Sequence, residues 1–187
     1  TMPITKYNFI VKDVTKLADV IRRAFRIAQT GRPGPVVIDI TKNVTATKTE
    51  YTYKKPEPIL PDASVIDEID VEKAVTMIAH SKRPFVFVGG GVTLANASEE
   101  LRRFVKKIDA PVADSLMGKG AFDGTDDAYV GMLGMHGTKA ANYGINQSDL
   151  IIVVGSRFSD RVIGNPKTFG NKAQILQIDV DASEINK

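Results

Sequence analysis

Two short apolar runs constrain this chain more than anything else in it: Phe85-Val86-Phe87-Val88 and Leu150-Ile151-Ile152-Val153-Val154. Neither alternates apolar with polar residues, so neither describes a strand with one wet face. Both are strand-length and rich in β-branched or aromatic side chains, the pattern of a strand buried on both faces. Such strands belong to parallel sheets whose connections are helices. The residues between them agree. Val71, Ala74, Val75, Ile78 and Ala79 follow Asp70, a candidate cap, at helical spacing, and Leu101, Phe104, Val105 and Ile108 follow Ser98, another. Pro111 to Asp114 reads as a short strand, residues 137–147 as a third helix and Ile175 to Ile178 as a last strand. A glycine-rich loop is expected over 115–134 and a long loop over 155–171. The expected fold class is therefore α/β, a parallel sheet with helices on both faces.

Upstream the pattern differs. Asp13 caps a predicted helix through Val14, Leu17, Ala18, Ile21, Ala24, Phe25 and Ala28, with Gly31 just past its end. Arg32-Pro33-Gly34-Pro35 is a turn and Val36 to Ile40 a strand. No partner strand is evident for this unit. From Thr41 to Ser64 periodicity is lost, and Pro56, Pro58 and Pro61 remove donors and favour extended backbone. The expected organisation is residues 1–45 as the tail of one domain, 46–64 as a linker, and 65–187 as a second domain, truncated at its end. The chain thus reads as a piece of a longer polypeptide.

Composition narrows the function. The 187 residues carry a net charge of +3, but the cations are scattered among separate elements, whereas nucleic-acid binding favours one basic face. There is no cysteine, hence no disulfide and no thiolate chemistry. No apolar run approaches the roughly 20 residues of a membrane span. No nucleophile–base pair or facing carboxylates stand out. The reading is a cytoplasmic protein with no nucleic-acid or membrane partner.

The candidate sites all fall at predicted strand ends, where open α/β sheets bind ligands. Gly89-Gly90-Gly91 exits the first buried strand; glycine there admits close backbone approach to a phosphate, or simply makes a tight turn. It half-matches the dinucleotide fingerprint, since Leu94 occupies the third glycine position, and Asp114 stands where a ribose-binding acid of a nicotinamide site would. Leu133-Gly134-Met135-His136-Gly137-Thr138 opens the third helix. Gly155-Ser156-Arg157-Phe158-Ser159-Asp160-Arg161 follows the second buried strand. Its guanidiniums suit phosphate or a stacked ring, or a surface pair with Asp160. Asp179 ends the last strand, as a ribose acceptor or as a cap for a helix near Ala182. His136 lacks a second ligand at metal spacing. Arg32 sits in a Pro/Gly turn, where the sequence alone leaves it a solvated surface arginine. The residues alone describe a nucleotide-binding α/β domain without catalytic machinery, with a nicotinamide oxidoreductase domain or a non-enzymatic interaction module as alternatives.

Taken in order, Gly31-Arg32-Pro33-Gly34-Pro35-Val36-Val37-Ile38-Asp39, Val88 to Gly91, Met117-Gly118-Lys119-Gly120, Leu133 to Thr138 with Ala141-Asn142-Tyr143, Gly155 to Arg161 and Ile178-Asp179-Val180-Asp181 closely resemble the acetolactate synthase (acetohydroxyacid synthase) large subunits. These are thiamine-diphosphate-dependent transferases. The Arg-Pro-Gly-Pro turn is shared with relatives such as pyruvate oxidase and glyoxylate carboligase.

The resemblance implies a tail of the pyrimidine-binding domain followed by a Rossmann-like central domain of the DHS-like NAD/FAD-binding type. It implies FAD in this domain, held without net redox use. Arg32 would contact it from the domain junction, and Gly89, Gly90 and Gly91 would pass beneath it. Ser115, Leu116, Gly134, Met135 and His136 would line it. Gly155, Ser156, Arg157, Asp160 and Arg161 would embrace its ribityl and diphosphate region, and Asp179 and Val180 its adenosine end. Ser159 departs from the family, which often has a second aspartate there.

No catalytic or metal-binding residue is expected in this stretch, so it would be inactive alone. Thiamine diphosphate and magnesium would belong to the missing pyrimidine- and diphosphate-binding domains of the same polypeptide. The parent would be a homo-oligomer, associating with a regulatory small subunit. It would condense two pyruvates to 2-acetolactate, or pyruvate with 2-ketobutyrate to acetohydroxybutyrate, toward valine, leucine and isoleucine.

Overall fold

The computed structural model describes residues 1–59 and 66–187, so part of the expected linker, with Pro61 and Ser64, lies outside the described residues. The chain divides into two compact units, Thr1–Val65 and Ile66–Lys187.

In the first unit, strand β1 (Tyr7–Val11) runs parallel to β2 (Val36–Ile40), joined by helix α1 (Leu17–Gln29). β1 corrects the expectation that the unit has no partner strand. Its sequence, Tyr-Asn-Phe-Ile-Val, mixes polar and apolar residues and lacks the turn residues that mark strand ends. Asp13 accepts a hydrogen bond from Thr15 N–H at 2.9 Å and caps a 3-10 turn that leads into α1. Gly31, at φ +61°, ends the helix in the left-handed conformation that disfavours a side chain. A short helix α2 (Lys42–Ala46), with Val44 buried, starts within the stretch whose periodicity is lost.

The second unit holds helix α3 (Glu68–His80), strand β3 (Pro84–Val88), helices α4 (Gly90–Leu94) and α5 (Ser98–Ile108), strands β4 (Val112–Asp114) and β5 (Tyr129–Met132), helix α6 (Lys139–Gln147), strand β6 (Leu150–Val154), helix α7 (Asp160–Ile163) and strand β7 (Gln174–Ile178). The five strands form one parallel sheet in the order β5-β4-β3-β6-β7. Strand order therefore reverses between β3 and β6. That is the switch point at which open α/β sheets leave a crevice outside the carboxyl ends of the strands.

The two apolar runs are buried as expected, and their alternation assigns each residue to a layer. Val86, Val88, Leu150 and Ile152 pack with Val92, Leu101, Val105, Met77 and Ile78, under α3, α4 and α5. Phe85, Phe87, Ile151 and Val153 pack with Ala141, Ile145, Phe158, Val162 and Phe169, under α6 and α7. Truncating a fully buried Phe87 to Ala in such a layer costs about 3–5 kcal/mol.

Three local expectations are corrected. Asp67, not Asp70, caps α3, accepting from Ile69 N–H at 2.9 Å, because the helix starts three residues earlier. Ser98 is already helical; Ala97 precedes it, its carbonyl accepting the Leu101 N–H at 2.9 Å. The expected 115–134 loop contains β5, whose Gly131 lacks strand propensity; its φ of +98° lets it pass the Thr138 side chain.

Candidate functional site

The carboxyl ends of all five strands are stitched into one row by backbone hydrogen bonds. Leu133 N–H donates to Asp114 O at 2.8 Å, Ser115 to Val88 O at 2.9 Å, Gly89 to Val154 O at 2.9 Å and Gly155 to Ile178 O at 2.8 Å. This row gathers the expected site segments of the second unit onto one edge. Arg32 lies in the first unit.

At the switch point the glycines serve each other. A Cβ on Gly89 would stand 2.3 Å from Gly155 O, and one on Gly91 would stand 2.7 Å from Gly155 Cα. A Cβ on Gly155, whose φ is +58°, would meet Gly91 Cα at 2.8 Å. Gly91 N–H donates to Gly155 O at 2.9 Å. Gly90 is similarly closed by Met117 O at 2.9 Å. The exit turns of β3 and β6 are thus in backbone contact, a packing no other residue permits.

Around this seam the side chains turn outward. Leu116 is 71 % exposed, Met117 79 %, Met135 68 % and Val180 67 %. Arg157, Asp160, Arg161 and His136 are exposed too, while Ser156 is buried. Large apolar side chains displayed beside two guanidiniums form a surface suited to a flat ring system carrying anionic groups. Ser115 uses its hydroxyl to accept from Gly118 N–H at 3.1 Å, fixing the turn that presents Leu116 and Met117. Asp160 Oδ1 accepts from Arg161 N–H at 2.9 Å, and its other oxygen lies 3.7 Å from the guanidinium. Both side chains are open to water, so this pair adds little stability. Asp179 accepts from Asp181 N–H at 2.9 Å, and it is Asp181 that caps the following turn, Ala182–Glu184.

The two longest site segments meet directly. Gly134, at φ +107°, packs where a Cβ would lie 2.6 Å from Arg161 O, and Met135 N–H donates to that carbonyl at 2.9 Å. A cavity of about 700 Å³ opens beside this junction, lined by Gly134, Met135, Asp160, Arg161 and residues of α6.

Sequence reasoning missed two clusters. Asp114 is buried; its Oδ2 accepts from Tyr129 OH at 2.8 Å, and Lys119 Nζ lies 3.6 Å from Oδ1. A hydrogen bond to Tyr129 and the Asp114 charge raise the Lys119 pKa; burial first and then Asp114 raise that of Tyr129. Asp114 therefore closes the β4–β5 excursion and is not displayed as a ribose acceptor. At the opposite edge, Asp149 accepts from the Ser81 hydroxyl, from Lys82 N–H at 2.8 Å and from Arg83 N–H at 3.0 Å. The Ser81 bond leads in lowering its pKa to about 2. Partners 66–68 residues away leave no local signal. Among the described residues, no group of three metal-ligating side chains occurs, and no helix is long and apolar enough to cross a membrane.

Residues 71–187 match the family model for the thiamine pyrophosphate enzyme central domain. The chain is 44% identical over 192 residues to a protein of Methanocaldococcus jannaschii named probable acetolactate synthase large subunit, covering 100% of this chain and 32% of the relative. It is 42% identical over 196 residues to chloroplastic acetolactate synthase 2 of Nicotiana tabacum, covering 100% and 28%. The chain thus spans about a third of the length of the curated relatives it matches. Among solved structures, an enzyme of Mycobacterium smegmatis described as thiamin diphosphate-dependent superposes with TM-score 0.77 at 21% identity, over 98% of this chain and 36% of the other. Benzoylformate decarboxylase from Polynucleobacter necessarius gives 0.76 at 19%, over 99% and 35%. At these identities the likeness speaks for the fold.

Proposed function

Because the chain belongs to the thiamine pyrophosphate enzyme family, whose central domain it contains, we propose that it is the flavin-holding part of an acetolactate synthase large subunit. The observation that carries this reading is the switch-point edge: a backbone seam of Gly89, Gly91 and Gly155, rimmed by exposed Leu116, Met117, Met135 and Val180 and by Arg157 and Arg161. These residues fit FAD. The apolar rim suits the ring system, the guanidiniums suit the diphosphate, and Asp179 has carboxylate capacity for a ribose hydroxyl. Gly90, Ser115, Leu116, Gly134, His136, Ser156, Asp160 and Val180 complete the proposed contact set. Bound flavin supplies a structural element with no net redox use in the carboligation.

The chain's own residues bind and orient; none of them is assigned a proton transfer. The condensation of pyruvate with pyruvate or 2-ketobutyrate belongs, in this proposal, to the assembled polypeptide with thiamine diphosphate and magnesium in its other domains. Domain limits of 1–45, 46–64 and 65–187, a cytoplasmic homo-oligomer and a regulatory small subunit are parts of the same reading. A nicotinamide site is disfavoured by Leu94 at the third fingerprint position and by Asp114, which is buried against Tyr129.

The test is a titration of this chain, and of the intact polypeptide that carries it, with FAD, NAD and ADP. Quenching of flavin fluorescence, with NAD binding at least about tenfold weaker, is the expected result. Selective NAD binding overturns the proposal, as does an intact polypeptide that ignores FAD.

A further inference from the structure

The turn at Gly134 is held by a side chain whose two polar atoms both bond one residue. Gly134 N–H donates to Asn142 Oδ1 at 3.1 Å, and Asn142 Nδ2 donates to Gly134 O at 2.9 Å. The amide thereby bonds both backbone groups of a buried residue, whose carbonyl also accepts the Gly137 N–H at 2.9 Å. The network also fixes its orientation, because the flipped amide would set nitrogen against N–H and oxygen against carbonyl.

The base of this clamp is itself fixed. Asn142 sits one turn into α6, whose cap Thr138 donates through its hydroxyl to Val130 O at 2.6 Å and through its N–H to Met132 O at 2.8 Å. What the clamp holds reaches the second site segment. Gly134 has no room for a Cβ against Arg161 O, and the next N–H, that of Met135, donates to the same carbonyl.

We infer that Asn142 is a positioning residue for the site: by clamping Gly134 it sets the Gly134–His136 turn and, through Met135, the backbone of Arg161, so that the two segments hold one fixed spacing. Its importance to ligand binding rests on the function proposed above, but the clamp itself can be tested without ligand.

The test uses two substitutions and amide hydrogen exchange in the 187-residue chain. Asn142→Ala removes both bonds. Asn142→Asp keeps the acceptor and, when ionised, sets a charge against Gly134 O. Protonated, the carboxylic acid donates again and restores both bonds. Asp160, Arg161 and Lys172 line the cavity shared with Asn142, and His136 lies two residues along the turn. The Arg161 and Lys172 charges favour the ionised form of an aspartate placed at 142.

At pH 8, protection of the Gly134 and Met135 amides is expected to fall about tenfold in both variants, the loss of one or two hydrogen bonds. The amides of Ile151 to Val153 should keep wild-type protection. At pH 3, below the ordinary aspartate pKa of about 3.9, Asn142→Asp should recover toward wild type while Asn142→Ala does not. Unchanged protection in Asn142→Ala overturns the inference. So does an Asn142→Asp variant that tracks Asn142→Ala at both pH values, or a loss that spreads equally to Ile151–Val153. FAD affinity, measured in parallel, should weaken about tenfold in both variants at pH 8. An intact wild-type polypeptide that ignores FAD while the exchange pattern holds sinks the proposed function and leaves the clamp standing.

Discussion

The two edges of the five-stranded sheet are built from opposite materials. At the amino edge, Asp149 gathers one hydroxyl and two N–H donors, and its carboxylate is saturated by the turn between α3 and β3. At the carboxyl edge, backbone packs against backbone at Gly89, Gly91 and Gly155, and the large side chains face outward. One edge spends its polar chemistry on closing a turn. The other leaves apolar surface and guanidiniums available. The contrast separates a turn closed by side-chain hydrogen bonds from an edge that displays its large side chains, at opposite ends of one sheet.

The largest effect should come from a side chain forced into the seam. Gly155→Val places a branched group within 3 Å of Gly91 at a left-handed φ. A loss of about 3 kcal/mol or more in urea-unfolding stability is expected. A loss below about 1 kcal/mol would show that the seam yields and that the contrast is overdrawn.

A smaller effect, and a pH-dependent one, is expected at the amino edge. The Asp149 pKa is about 2 against an ordinary 3.8, so its stabilisation is present above 3.8 and is lost as pH falls from 3.8 through 2. The Asp149→Asn variant should be less stable than wild type at neutral pH, and the difference should vanish near pH 2. Unfolding midpoints across that window check it, and a difference that persists undiminished below pH 2 refutes the assignment. Under the proposed function, flavin affinity at neutral pH should be unchanged, since this edge lies outside the proposed contact set.

Smallest for stability are the exposed arms. Arg157→Ala should leave the unfolding free energy within about 0.5 kcal/mol while weakening FAD binding about tenfold, by equilibrium titration. Asp160→Ala, which breaks an exposed ion pair and an exposed hydrogen bond from Arg161 N–H, should change stability by less than about 1 kcal/mol. An arginine variant that unfolds the unit would erase the separation of roles.

Much of this was legible in sequence because it is local. The boundaries of β6 follow from an unbroken apolar run, and the strand-end positions of Gly89–Gly91 and Gly155–Arg161 follow from the strands they leave. Whether those glycines face a ligand or each other was not legible, because the distance between β3 and β6 exists only once the sheet forms. β5 hid behind Gly131, whose strand geometry depends on Thr138. Asn142 stood within a recognisable motif, but nothing in its spacing tells that both its amide atoms reach back to Gly134. Nothing local marks Asp149 either, because its three donors come from a turn 66–68 residues away.

The layered core carries a last consequence. In sheets with one wet face, a strand that slips by one residue exposes its apolar set, and polarity corrects the error. β3 has no such safeguard, since both its faces are apolar. What differs between them is bulk: Phe85 and Phe87 fill the α6 layer, Val86 and Val88 the α5 layer. A slip would press phenylalanines into valine-sized space and leave voids behind them, so the alignment of this strand is encoded in side-chain volume.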